Sequence, residues 1–261
     1  MSLKGVWEFI KTVAFALLLA LVVRTLVAQP FRIPSGSMQP TLAVGDYIIV
    51  SKWSYGYSRF SITPLQNLFG PGRVLENAPR RGDVVVFHPP RKAEEAFVKR
   101  VIGLPGDRVQ MIAGQVHING VAVAREFLGR RTHMERNGVA TSVLAFREIL
   151  PDTGISYTTF ERGDRATRTC EQMFDGKPWD MCALDDTEVF VIPRGQYFMM
   201  GDDRDVSGDS RAQVEVSYIP LENMVGRVRL VVVSFDHSGQ IGNPLTWFGS
   251  FRGDRFFMGV Q

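Results

Sequence analysis

The sequence predicts a mostly β protein, with a single N-terminal transmembrane helix followed by a β-rich domain that carries an inserted β-subdomain. The run TVAFALLLALVV, residues 12–23, has no charge and the composition of a helix that faces lipid. After Leu42 the helical period disappears, and short runs such as DYIIVSKW, GDVVVFH and GRVRLVVVSF are bounded by turn residues, which is typical of strands. A composition of 45% hydrophobic and 22% charged residues is that of a folded chain.

The N-terminal apolar run predicts a membrane anchor over residues 12–30, preceded by a short cytoplasmic segment, residues 1–11. Twelve uncharged residues are fewer than the roughly twenty needed to span a bilayer, but TLVAQPFRI continues the run and supplies the length. A cleaved signal peptide and a buried core helix are the alternatives. We favour the anchor because cleavage near Ala28 would leave the Gly/Pro-rich segment that follows at a frayed new terminus. Lys4 and Lys11 predict that the N-terminus lies inside and the rest of the chain outside the cytoplasm.

The β-rich part divides into a main domain, residues 31–109 and 193–261, and an insertion, residues 110–192. The insertion contains an Asn-Gly hairpin signal in INGVAV and two cysteines, Cys170 and Cys182. In an oxidising compartment these cysteines would close a small loop, which the predicted location favours; in the cytosol they would be free thiols. The C-terminal stretch PLTWFGSFRGDRFFMGV is aromatic and basic, and fits either a last packed element or a contact with the membrane surface.

Charge and metal-ligand patterns exclude several classes of function. The net charge of +3 is small and the basic residues are scattered, which does not indicate nucleic-acid binding. The four histidines lie far apart without a zinc-type spacing, and the acidic stretch GDDRDVSGDSR lacks the spacing of an EF-hand. We therefore expect no metal and no cofactor.

Three stretches carry the candidate chemistry: IPSGSMQPTL, FVKRVIGLPGD and GDDRDVSGDSR. A serine needs a base to act as a nucleophile, and a lysine can serve if its pKa falls from about 10.4 toward 8, a cost on the order of 3 kcal/mol. In a strand over AFVKRVIG, Phe97, Lys99 and Val101 share one face, so Lys99 has apolar neighbours. Taken singly, each stretch also fits an ordinary structural role: a turn with two serines, a surface lysine, and a polar loop. A Ser-His-Asp triad also stays open at this point.

Taken together and in this order, with IPSGSMQPTLAVGDYIIV and GDVVVF, the stretches resemble the type I signal peptidases, membrane-bound Ser/Lys endopeptidases that remove signal peptides. The resemblance implies that Ser37 is the acylating nucleophile and Lys99 the general base. It also implies that the Ser35 side chain and the Ser37 backbone N–H form the oxyanion hole. Further matches are a serine that orients the lysine and a supporting charged pair: Ser207, Asp209 and Arg211.

The third stretch departs from the family pattern GDNRDNSxDSR at two positions. Asp203 and Val206 stand where the family commonly has asparagine. A carboxylate at position 203 would raise the pKa of a nearby lysine, and valine at position 206 removes an amide hydrogen-bonding group.

The resemblance also implies the substrate and the location. The family cleaves after a small residue that follows a small or aliphatic residue two positions earlier, which requires shallow apolar pockets for a substrate bound as an added strand near Ile33–Ser35. The partners would be signal peptides of secreted preproteins and membrane lipid, with no nucleic acid. The protein would be a monomer in the inner (plasma) membrane, with its catalytic domain on the periplasmic or extracytoplasmic side. The expected pocket walls are Phe31, Ile33, Pro34, Met38, Leu42, Phe97 and Val98.

Three alternatives remain beside this interpretation. A Ser/Lys protease with another task, such as a conjugation-associated processing peptidase, would carry the same motifs. A self-cleaving Ser/Lys repressor would need an N-terminal DNA-binding domain in place of the apolar helix. A peptide-binding module without catalysis would not need both Ser37 and Lys99.

Overall fold

A long apolar helix leads into a β-rich body in this computed structural model, which describes residues 3–62, 70–134, 140–162, 184–214, 216–236 and 249–261. Helix α1, Leu3–Val22, continues as a π-helical turn, Val23–Val27. Within the described residues, the segment Lys4–Val27 is the one helix long and apolar enough to cross a membrane, and it is almost entirely exposed. The helix starts before residue 12, the expected start of the anchor, because the charges near its start do not interrupt it: Lys11 forms an ion pair with Glu8 one turn earlier, at 2.8 Å. It ends before residue 30, the expected end of the anchor.

The rest of the described chain is mostly β, so the predicted fold class is confirmed. The strands of the main domain are β1 Ala28–Arg32, β2 Asp46–Ser51, β3 Tyr57–Ser58, β4 Arg73–Val74, β5 Val84–Phe87, β6 Phe97–Gly103, β14 Gln196–Met200, β15 Ile219–Pro220, β16 Met224–Ser234 and β17 Met258–Gly259. Those of the insertion and its edges are β7 Arg108–Ile112, β8 Gln115–Ile118, β9 Val121–Ala122, β10 Ala124–Met134, β11 Ala140–Ile149, β12 Ser156–Arg162 and β13 Phe190–Val191.

The main sheet is antiparallel and has the strand order β1-β2-β16-β5-β6-β14-β15, with β17 added beside β16. Strand β5 explains the continuous apolar run in GDVVVF. Val84 and Val86 pack into one apolar cluster, while Val85 and Phe87 pack into another. Both faces of the strand are buried, so the alternation of a half-exposed strand is absent.

The insertion forms two smaller sheets, with the orders β13-β7-β8-β9 and β10-β11-β12. The Asn-Gly hairpin is confirmed: Asn119 and Gly120 have φ values of 54° and 82° between β8 and β9, the left-handed region that such a two-residue turn requires. Cys170 and Cys182 lie outside the described residues. At the C-terminal end, β17 pairs with β16, while the side chains of Phe256 and Phe257 are exposed.

The main sheet brings the three candidate stretches to one place. Lys99 lies on β6, and the segment 33–42 connects β1 to β2. Strand β14 pairs with β6 through Met200 and Arg100, and the loop 201–211 begins directly after it. The loop therefore starts beside the residue that follows Lys99.

Candidate active site

Ser37 and Lys99 lie together although 62 positions separate them in the sequence. Lys99 Nζ lies 2.5 Å from Ser37 Oγ, within hydrogen-bond distance. Lys99 is only 3% exposed and Ser37 only 8%. The alternative that Lys99 is a surface lysine is therefore wrong, and the two side chains are placed so that a proton can pass between them.

The surroundings of Lys99 favour its neutral form. Burial lowers the pKa of its amine from 10.5 to about 8, opposed by the negative charge of Asp209 and aided by the positive charge of Arg211. The ring of Phe97, on the same face of β6, has its centroid 5.9 Å from Nζ. A neutral amine is thus accessible near physiological pH, as a general base requires.

Ser35 lies at the open side of the pair. Its Oγ is 3.5 Å from Ser37 Oγ, and the residue is exposed. Among the described residues, the Ser37 backbone N–H has no acceptor. A side-chain hydroxyl and a backbone N–H beside one serine hydroxyl are the donor set that an oxyanion hole needs.

The loop 201–211 closes over the backbone of Ser37. The Asp203 N–H donates to the Ser37 carbonyl oxygen at 3.2 Å. A Cβ added at Gly201 would lie 2.2 Å from Ser207 Oγ and 2.4 Å from the same carbonyl oxygen, so both groups contact Gly201 directly. Close packing of the loop on Ser37 thus depends on glycine at position 201.

The predicted supporting residues are all buried in this loop. Asp209 and Arg211 form a two-pronged ion pair, with both nitrogen–oxygen distances 2.9 Å, and Asp209 also accepts the Gly201 N–H at 3.0 Å. Ser207 is fully buried, but its hydroxyl makes no hydrogen bond with any described residue, Lys99 included. The structure therefore brings Ser207 against Gly201 beside Ser37 without forming the bond to Lys99 that the resemblance implies.

A second ion pair joins the three stretches, and no motif in the sequence predicts it. Arg100, next to Lys99, binds Asp202 of the loop with distances of 2.9 and 2.7 Å. Thr41, near the end of the segment 33–42, donates to the same carboxylate at 2.5 Å. All three residues stand in the quoted motifs, but their contacts depend on strand pairing that the motifs do not show.

The insertion contributes to the same network. Arg204 of the loop pairs with Glu148 of β11, and Tyr157 of β12 donates to Glu148 at 2.7 Å. Asp203, where the chain departs from the family pattern, is buried. Its carboxylate oxygen lies 3.9 Å from a guanidinium nitrogen of Arg162 on β12. The charge of Asp203 raises the pKa of Lys99, as expected, but its effect is smaller than those of burial, Asp209 and Arg211.

A cavity of about 380 Å³ opens beside Ser35, Ser37 and Lys99. Leu42 is not part of its lining; it is fully buried in the core cluster behind Ile33 and Met38, where its N–H bonds the Met38 carbonyl at 2.8 Å. No group of three or more possible metal ligands occurs in the part of the chain that the structure describes. The predicted walls that line the cavity are Phe31, Ile33, Pro34, Met38, Phe97 and Val98. Sequence reasoning missed five further lining residues: Arg32, Glu95, Ala96, Val206 and Gly208.

The fold and the site define a serine-type peptidase. Residues 6–233 match the family described as signal peptidase, peptidase S26, and the chain belongs to this family. It is 38% identical to signal peptidase I of Rickettsia prowazekii over 88% of this chain and 81% of that protein. It is 35% identical to signal peptidase I of Rickettsia typhi over 87% of this chain and 80% of that protein. Among solved structures, it is similar to a signal peptidase I from Enterococcus faecalis V583, with 21% identity, a TM-score of 0.30, and coverage of 58% of this chain and 97% of that one.

Proposed function

We propose that this protein is a membrane-anchored endopeptidase that removes N-terminal signal peptides from exported preproteins, using Ser37 as nucleophile and Lys99 as general base. The observation that carries the proposal is the 2.5 Å contact between Lys99 Nζ and Ser37 Oγ beside an open cavity. Membership of the signal peptidase family supplies the class of substrate.

The positions of these groups support the following reaction. The neutral Lys99 amine takes the proton of Ser37 Oγ as that oxygen attacks the carbonyl carbon of the scissile bond. Ser35 Oγ and the Ser37 N–H stabilise the resulting oxyanion, each typically by about 3 kcal/mol. The Lys99 ammonium then gives its proton to the leaving amine, which departs as the new N-terminus of the mature protein. Lys99 next removes a proton from water as the water oxygen attacks the ester carbon. The bond to Ser37 Oγ then breaks, Lys99 returns the proton to that oxygen, and the signal peptide leaves with a free carboxylate.

The cavity fits an extended peptide with small side chains near the cut. Apolar walls from Ile33, Phe97 and Val98 lie close to the Ser37–Lys99 pair. A peptide added alongside Ile33–Ser35 would place alternate side chains into the cavity. Larger side chains would be rejected by steric contact, which is the physical basis for cleavage after small residues.

An anchor formed by the helical segment would keep this chemistry close to the membrane. Ser37 follows Ala28 by nine residues, so it lies at most about 30 Å from the end of the helix. A signal peptide held in the same bilayer presents its cleavage site in that zone, and tethering both partners raises their effective concentration. Lys4 and Lys11 would orient the anchor with its N-terminus in the cytoplasm and the catalytic domain on the extracytoplasmic side. We expect the protein to act there as a monomer, without cofactor or nucleic acid.

Cleavage of a preprotein in detergent, followed by gel electrophoresis, tests the dyad. We expect the wild type to release the mature protein, and Ser37→Ala and Lys99→Met to release none. Ser156→Ala is the matched control, because Ser156 is an exposed serine on β12 of the insertion. Normal cleavage by Ser37→Ala or Lys99→Met would exclude the proposed mechanism.

A second assay separates a general signal peptidase from a specialised Ser/Lys processing peptidase. We expect the gene to restore growth of a bacterium depleted of its own signal peptidase, and the Ser37→Ala gene to fail. An active enzyme that does not restore growth would point to the specialised task.

A further inference from the structure

The membrane helix joins the catalytic domain without a linker. The π-helical turn Val23–Val27 is followed at once by β1, whose first residue, Ala28, pairs with Ser51 of β2. Thr25 is only 4% exposed, in contrast to the exposed residues before and after it. The last helical turn therefore rests on the domain.

Two side chains of the domain hydrogen-bond to this last turn. The final carbonyl groups of a helix have no partner within the helix. Lys52, which directly follows β2, has its Nζ 3.4 Å from the Thr25 carbonyl oxygen. Tyr57 of β3 donates its hydroxyl to the Leu26 carbonyl oxygen at 2.7 Å. The domain thus caps the C-terminal end of its own anchor.

The burial of Lys52 disfavours the charged form of its amine. The residue is fully buried, and burial, followed by the positive charge of Arg24, lowers the pKa of its amine to about 8. The partial negative charge at a helix C-terminus favours a cation there. Thr25 O is the one hydrogen-bond acceptor that the described residues give Lys52 Nζ.

We propose that Lys52 and Tyr57 are positioning residues that fix the catalytic domain on the end of its membrane helix, so that Ser37 is held at a set height above the bilayer. This inference rests on the proposed function, because height matters only for a substrate held in the same membrane. The apolar segment of a preprotein fixes where its scissile bond emerges. A rigid connection between the helix and the catalytic domain would hold Ser37 at that level. A flexible connection would let the height of Ser37 above the bilayer vary.

The test compares one cleavage sequence in two settings. The first substrate is a preprotein inserted in liposomes with the full-length enzyme; the second is a short soluble peptide containing the same cleavage site. The variants are Lys52→Met, Tyr57→Phe and the double variant, which lose the hydrogen bonds but keep most of the side-chain volume. Tyr218→Phe is the matched control, since Tyr218 packs on Phe198 of the main sheet and makes no hydrogen bond to the described residues of the helix.

We expect kcat/KM for the liposome-held preprotein to fall by about 10-fold in the double variant, because small misplacements of reacting groups are costly. Hydrolysis of the soluble peptide should stay within about twofold of the wild type, since the dyad itself is untouched. Equal loss on both substrates would show a general structural role and overturn the proposal. Wild-type rates on both would overturn it as well.

A measurement independent of activity accompanies the kinetics. Amide hydrogen exchange at residues 23–28 in liposomes should be faster in the double variant than in the wild type or in Tyr218→Phe, because the capped turn loses its partners. Unchanged exchange would contradict the joint. If the wild type cleaves neither substrate, the proposed function itself fails, an outcome distinct from loss of the joint alone.

Discussion

Arg204, in the loop that closes over Ser37, forms a two-pronged ion pair with Glu148 of the inserted sheet, with nitrogen–oxygen distances of 2.9 and 2.5 Å. Both side chains are 1% exposed. Arg204 also donates through Nε to the carbonyl oxygen of Gly201, at 3.2 Å. The insertion is therefore joined by an ion pair to the loop that packs on Ser37, and we expect the insertion to stabilise the site.

Removing Glu148 should destabilise the protein strongly. Glu148→Ala leaves the Arg204 guanidinium buried without its carboxylate, which typically costs about 3–5 kcal/mol. Urea unfolding of purified protein measures this, and preprotein cleavage should fall in the same variant as the loop loosens. Glu126→Ala is the control: Glu126 pairs with Arg147 on the same sheet at 3.0 Å, but both are about half exposed or more. It should lose no more than about 1 kcal/mol. Equal losses in the two variants would contradict a special role for Glu148.

The sequence predicted the centre of the site better than its support. Ser37 and Lys99 stand in stretches whose order along the chain and residue identities are specific. The strand alternation around Lys99 also predicted apolar neighbours for it. Glu148 and Tyr157 stand in no motif. Glu148 and Arg204 are 56 positions apart in the sequence, and they meet only because β11 folds back against the loop 201–211. Such a contact is a property of tertiary packing and leaves no local pattern.

Leu42 shows a different limit. Its position in the motif made it a candidate wall of the pocket, but a turn that bonds its N–H to the Met38 carbonyl directs it into the core. Motif membership identified a residue that matters for the segment without indicating which side of the segment it faces. The start of the helix was missed for a related reason, because counting uncharged residues ignores charges that a helix can pair at its surface.

Activity should rise with pH through the pKa of Lys99. The base must be neutral to take the proton of Ser37, and burial lowers its pKa to about 8. We therefore expect kcat/KM for a soluble peptide to increase from pH 6 and level off above about 9, roughly one unit past that pKa. A flat profile over this range would argue against Lys99 as the base.

The same buried lysine should cost stability at neutral pH. Burial lowers its pKa from 10.5 to about 8, which corresponds to about 3 kcal/mol. The unfolded chain binds the extra proton between these values, so wild-type stability rises as pH increases from about 8 to about 10.5. Lys99→Met, which has no charge to bury, should be more stable than the wild type at pH 7, and the difference should shrink toward pH 10. Urea unfolding at both pH values checks this, and a variant less stable at pH 7 would contradict it.

Restoring the family asparagine at position 203 should move the activity profile to lower pH. The Asp203 carboxylate raises the pKa of Lys99, so Asp203→Asn removes part of the charge that holds the proton on the amine. Arg162, the ion-pair partner of Asp203, is 22% exposed and can be hydrated when the carboxylate is lost. Val206→Asn, at the other departure, changes no charge and should leave the midpoint in place. A shift in the opposite direction, or equal shifts in both variants, would contradict this role for Asp203.

Gly201→Ala should abolish cleavage. The added Cβ would lie 2.2 Å from Ser207 Oγ and 2.4 Å from the Ser37 carbonyl oxygen, and no real Cβ tolerates such distances. Because one of the two groups is backbone, the strain cannot be relieved by a side-chain rotation, and the loop must move away from the nucleophile. Overpacking of this kind costs about 1–3 kcal/mol, so the variant should still fold, with a lowered Tm, but with the Ser37–Lys99 geometry disturbed. Gly259→Ala on β17 is the control, since a Cβ there meets nothing within 4 Å. Soluble-peptide hydrolysis and thermal unfolding distinguish the outcomes: wild-type kcat in Gly201→Ala would show that the loop does not depend on close packing against Ser37.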